Sequence, residues 1–165
     1  MKLYVIRHGR TLWNEKGLMQ GIEDIKLSLT GKKEAEDIRE KLKNINFDIC
    51  ISSPLKRTLE TASIVTDNKY KIITDELLIE RNLGEFEGYA EYEKLKFWDY
   101  KLNNDSYGVE PVKDILKRTS SFLNNLKEKN YKTVLIVSHA ATIRAINYNI
   151  IGYDSNTKFL EFKPV

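Results

Sequence analysis

The chain has 165 residues, 41% apolar and 31% charged, with a net charge of +3 at neutral pH. That length suits one domain, 1–165, with a real core. The single cysteine, Cys50, excludes an intrachain disulfide and a cysteine metal cluster. No apolar run approaches the roughly 20 residues of a membrane span, and interspersed Lys and Glu leave no basic stripe for nucleic acid. The segment Met1-Lys2-Leu3-Tyr4-Val5-Ile6 reaches a charge too early for a signal peptide, so a cytoplasmic location is expected.

Lys2–Arg7 reads as a first strand with Leu3, Val5 and Ile6 apolar. Residues 31–45 read as a helix, with Thr30 as N-cap and Ala35, Ile38, Leu42 and Ile45 at helical spacing. A second strand is expected at 47–51. Ser53-Pro54 then opens a helix running to about Thr66, since a first turn tolerates proline. A third strand comes next, at 70–74. Residues 85–110 break the rhythm: Phe86, Tyr89, Tyr92, Phe97, Trp98, Tyr100 and Tyr107 mark an aromatic-rich insertion over one end of the sheet. A long helix is expected over 111–129, its inner stripe made by Val112, Ile115, Leu116, Thr119, Phe122, Leu123 and Leu126. The uninterrupted apolar run 133–137 suits the middle of a parallel sheet. Residues 140–151 read as a helix closed by Gly152, and 158–162 alternates as an edge strand should. Such alternation predicts an α/β fold, a three-layer α/β/α sandwich around a mostly parallel sheet.

In parallel sheets, sites lie beyond the carboxyl ends of the strands. The first strand ends in Arg7-His8-Gly9. The second leads into Ser52-Ser53-Pro54, with Arg57 in the next helical turn. The fourth ends in Ser138-His139. The chain's only two histidines therefore both sit at strand ends. Guanidinium groups match phosphate oxygens bidentately, and a neutral imidazole is a competent nucleophile near neutral pH. Phosphoryl transfer needs mostly positioning and charge stabilisation, so covalent catalysis through His8 is the chemistry this set suggests. No metal or other cofactor is called for, because no third ligand sits at ligand spacing beside the two histidines.

At these residues the sequence resembles the histidine phosphatase superfamily, on its phosphoglycerate-mutase-like branch. The matching blocks run in order. They are Arg7-His8-Gly9-Arg10-Thr11 with Asn14; Gln20-Gly21 with Leu29-Thr30-Gly31; Ser52-Ser53-Pro54-Leu55 with Arg57-Thr58 and Thr61-Ala62; Glu80 with Gly84, Glu87 and Gly88; and Ser138-His139-Ala140 with Arg144. Gly108-Val109-Glu110 is similar to a Gly-Glu-Ser segment. The resemblance implies that His8 is phosphorylated and that Arg7, Arg57 and His139 bind the phosphoryl group. It implies that Asn14 adds a hydrogen bond and that Glu80 protonates the leaving oxygen. Gln20, Gly21 and Ala140 would line the substrate site. Arg10 stands where the family carries Glu or Gln; it either meets an extra acidic group on the substrate or points to solvent. The implied activity is a phosphomonoesterase acting on a small phosphorylated metabolite. A mutase, a protein phosphohistidine phosphatase and a phosphate-binding module are the alternatives. Family mutases carry extra segments around the pocket where this chain has only 85–110, with Trp98, Tyr92 or Phe97 as candidate pocket walls.

Overall fold

The computed structural model describes residues 1–90 and 107–152. Four strands, β1 (Lys2–Arg7), β2 (Ile49–Ser52), β3 (Ile72–Thr74) and β4 (Thr133–Ser138), form one sheet in the order β1-β4-β2-β3. Every neighbouring pair is parallel. Five helices accompany them: α1 (Leu12–Glu15), α2 (Leu29–Leu42), α3 (Lys56–Thr66), α4 (Val112–Lys127) and α5 (Ala140–Ile151).

Side-chain alternation along the strands explains the layers. Val134 and Ile136 of β4, with Ile51, Leu3 and Val5, pack on one face against Phe122, Leu123, Leu126 and Ile146 of α4 and α5. Leu135 and Val137, with Cys50, Tyr4 and Ile6, pack on the other against Ala35, Ile38, Ala62 and Val65 of α2 and α3. A strand buried on both faces must be apolar at every position, and residues 134–137 of β4 are all fully buried. Each such side chain contributes roughly 1.5–3 kcal/mol by leaving water. The expected α/β/α sandwich is thus what the chain forms. The expected edge strand at 158–162 lies outside the described residues, as do Tyr92, Phe97, Trp98 and Tyr100.

Element ends differ from the sequence reading for local reasons. α2 starts earlier because Ser28, not Thr30, is the N-cap: its Oγ accepts from Gly31 N at 3.1 Å. β2 starts at Ile49 because the Asp48 carboxylate takes the N–H groups of Lys132 and Thr133. Phe47, before it, is stacked edge-on between Tyr4 and Tyr70. α3 begins at Lys56, so Pro54 precedes the helix instead of opening it. The short α1 has no counterpart in the sequence pattern. It is closed by a reciprocal cap in which Thr11 and Asn14 each bond the other's backbone. At the base of the insertion, Leu83 bridges Val109 and the Phe86 ring meets Tyr107 with centroids 5.2 Å apart.

Candidate active site

Sheet register builds the centre of the site. Arg7 pairs with Ser138, and Ser52 with Val137. The ladder runs one step further on both sides, with His8 N donating to Ser138 O and Ser53 N to Val137 O, each at 3.0 Å. His8 and His139 therefore leave adjacent strands at the same level, and their ring centroids are 5.1 Å apart. Gly9 comes next because nothing larger fits. A Cβ there would collide with the Gly31 carbonyl oxygen at the start of α2. Gly9 N instead donates to Thr61 Oγ1 of α3 at 3.1 Å.

Hydrogen-bond chemistry fixes both imidazole tautomers. His8 Nδ1 lies 2.7 Å from the Gly9 carbonyl, which can only accept, so Nδ1 carries the proton and Nε2 the lone pair. His139 Nδ1 lies 3.2 Å from Arg57 Nε, which can only donate, so here Nδ1 is the lone pair. His139 Nε2–H then donates to Ser53 Oγ at 2.8 Å. Burial holds both rings well below the ordinary histidine value of 6.5, with the charge of Arg57 and then other cations adding to it. Both are neutral near pH 7, as a nucleophile requires.

Arg57 is completely buried. Its Nη1 donates to Glu23 O at 2.7 Å and its Nη2 to Gly21 O at 2.6 Å, so the guanidinium is fixed by main chain as well as by His139. Burial lowers its pKa to about 10, against the opposing charges of Glu80, Asp24 and Glu87, and it stays a cation. Arg7 Nε is buried with no hydrogen-bond acceptor. An orphaned charged donor is costly without an anion to meet it.

Glu80 is 7% exposed and sits at the start of α5. Its Oε1 accepts from Arg81 N at 2.9 Å, Ala141 N at 3.2 Å and Thr142 N at 3.3 Å. The last two are orphan donors of the helix's first turn. The segment carrying Glu80 is tied down from α4. Arg118 grips both oxygens of Glu110, Nε to Oε1 at 2.6 Å and Nη2 to Oε2 at 3.1 Å. Its Nη1 donates to Leu77 O at 2.7 Å. Arg81 Nε donates to Glu110 O, and Glu110 N to Asn82 O.

The remaining expected residues divide. Asn14 Oδ1 is held by Thr11 N at 3.0 Å, so only its amide nitrogen is left to donate. Gln20 Oε1 accepts from Thr11 Oγ1 at 2.6 Å, while its Nε2 is buried without an acceptor. Gly21 serves through its carbonyl, on Arg57. Ala140 is the first residue of α5, where the N–H has no acceptor inside the helix. Arg10 is turned elsewhere: its Nε pairs with Glu34 of α2 at 2.5 Å and its backbone N–H bonds the same carboxylate. That guanidinium is half exposed and braces the loop after His8. Thr142 does not stand out in the sequence, because a buried threonine carries no periodic signal, and Ser53 and Thr61 are marked there only by the family resemblance. Among the described residues no group of three His, Cys, Asp or Glu could hold a metal ion, and no helix is long and apolar enough to cross a membrane.

Comparison with known proteins meets this geometry. The profile of the histidine phosphatase superfamily (branch 1) matches residues 3–161. Phosphoserine phosphatase 1 of Hydrogenobacter thermophilus is 30% identical over 98% of this chain and 81% of its own length. A 2,3-bisphosphoglycerate-dependent phosphoglycerate mutase of Cytophaga hutchinsonii is 33% identical over 87% of this chain and 74% of its own. Among solved structures, the alpha-ribazole phosphatase of Shigella flexneri superposes with a TM-score of 0.80 at 26% identity, covering 94% of this chain and 82% of that one.

Proposed function

The chain belongs to the histidine phosphatase superfamily (branch 1), and from that premise we propose that it hydrolyses small phosphomonoesters through a phosphohistidine on His8, without a metal ion. The observation that carries the reading is the pinned tautomer of His8. Its Nδ1–H is held by the Gly9 carbonyl, so a neutral ring keeps its Nε2 lone pair for phosphorus. Attack by Nε2 forms the N–P bond as the ester P–O bond breaks, and the leaving oxygen takes a proton from Glu80. The Glu80 carboxylate then takes a proton from water whose oxygen displaces His8, releasing inorganic phosphate. Arg7 and Arg57 face the developing charge on the phosphoryl oxygens, and the unpaired Nε of Arg7 supports that role. Asn14, Gln20, Gly21 and the N–H of Ala140 line the substrate site.

Relatives named for phosphoserine, alpha-ribazole phosphate and phosphoglycerate chemistry favour a small phosphorylated metabolite as substrate. The test is release of inorganic phosphate from a panel of such esters in EDTA. Turnover should persist in EDTA and disappear in His8→Ala. Full activity in that variant overturns the assignment, and phosphoryl return to an acceptor in place of phosphate release makes the chain a mutase.

A further inference from the structure

Glu87 makes none of its hydrogen bonds to either histidine, yet its carboxylate is fully engaged. Oε1 accepts from Ile22 N at 2.8 Å and Leu83 N at 3.3 Å, and Oε2 from Glu23 N at 2.8 Å. Converging N–H donors need a group that only accepts, which a carboxylate is and an amide is not. Gly21 lets the loop close on it: a Cβ there would collide with Glu87 Oε1.

The other side of that loop holds Arg57, through the carbonyls of Gly21 and Glu23. The Gly21–Ile22 peptide is shared by the two charges. Its carbonyl accepts from the guanidinium and its N–H donates to the carboxylate. A cation and an anion thus grip opposite ends of one peptide unit, and each strengthens the bond made by the other. Asp24 fastens the next residue of the loop by accepting from Lys56 N, at the start of the helix that carries Arg57, at 2.7 Å. Arg57 Nε–H is in turn the donor that makes His139 Nδ1 an acceptor.

We propose that Glu87 is a positioning residue: through the Gly21–Ile22 peptide it sets the attitude of the Arg57 guanidinium, and through Arg57 it fixes the Nε2–H tautomer of His139. Only its kinetic consequence rests on the phosphatase reading. Glu87→Gln keeps the size of the side chain but turns an NH₂ against a backbone N–H. In that variant the guanidinium loses its fixed seat and the His139 ring populates both tautomers.

The experiment compares wild type with Glu87→Gln and Glu87→Asp, checking the fold of each by circular dichroism. It reads the imidazole ¹⁵N shifts, the affinity for inorganic phosphate and kcat/KM. With two histidines in the chain the spectrum is assignable. Wild type should show His139 with an unprotonated Nδ1. Glu87→Gln should show tautomer averaging at His139 and a fall of about ten- to a hundredfold in phosphate affinity and kcat/KM, with Glu87→Asp in between. Wild-type His139 shifts with unchanged phosphate affinity, in whichever variant is folded, overturn the proposal. If wild type turns nothing over, the phosphatase reading fails while the shifts and phosphate affinity still decide the role of Glu87.

Discussion

The two halves of the site are held by different physics. On the histidine side, backbone register does the placing: β1, β4 and β2 run parallel, and His8 and His139 come directly after the paired residues Arg7 and Ser138. On the acid side, Glu80 lies in a segment between short 3₁₀ turns at Glu76–Leu78 and Gly84–Phe86. A side-chain clamp places the segment there, through Arg118 and Glu110, and the N–H groups of the first turn of α5 hold the carboxylate. A sheet ladder shares any strain over many bonds, whereas a clamp depends on each of its few members. Single polar substitutions should therefore loosen the acid side more readily than the histidine side.

The largest effect expected away from His8 itself is at Glu80. Glu80→Gln should lower kcat/KM on alkyl phosphates by roughly 10²–10⁴, and by far less on an aryl phosphate whose leaving group needs no proton. Equal losses on both ester types would remove Glu80 from the acid role. Next comes a steric attack on the histidine side. Gly9→Ala puts a methyl group against the Gly31 carbonyl, and a displaced His8 should cost on the order of 10²-fold in kcat. Wild-type kcat in Gly9→Ala would mean the His8 loop yields without moving the ring.

A smaller effect is expected from the clamp. Glu110→Gln removes a carboxylate that Arg118 grips bidentately. Activity should fall about tenfold, with the aryl-to-alkyl ratio shifting as in Glu80→Gln because the same acid is misplaced. An unchanged ratio would show that the clamp serves stability alone.

The smallest effect is a slope with pH. Both histidines are held neutral by burial first and Arg57 next. Their pKa values lie lower in the folded chain than in the unfolded one, so the unfolded state binds more protons between the two values. The stability they contribute is present above about pH 6.5 and is lost as pH falls from there, at up to ~1.4 kcal/mol per pH unit for each ring. Thermal melts should show this loss, and His8→Asn should make it shallower. The acid limb of kcat/KM should lie below pH 6.5. A limb at or above that value would show that the rings are not held neutral.

The same contrast explains how much of the molecule is legible in its sequence. Strand ends are legible, because apolar runs locate strands and a parallel sheet gathers the residues just beyond them; hence Arg7, His8, Arg57 and His139. Glu80 is not legible that way. Beside Arg81 it reads as one half of a surface pair, and only the resemblance to the family marks it. In the fold its partners are backbone N–H groups, two of them some sixty residues away in sequence. Arg57's seat is equally silent, since the Gly21 and Glu23 carbonyls carry no residue identity. Arg10 stands open between pocket and solvent in the sequence, and nothing there marks its partner Glu34, in a helix that packs beside it. The four-residue α1 is too short for any periodicity to show.

The central claim is a covalent phosphate on His8, and rapid quenching tests it most directly. Wild-type protein mixed with a turning-over phosphomonoester and stopped in alkali should carry an alkali-stable, acid-labile phosphate that mass spectrometry maps to His8, formed and lost at rates compatible with turnover. Active protein with no phosphoenzyme on that timescale, or with the phosphate on another residue, would contradict it.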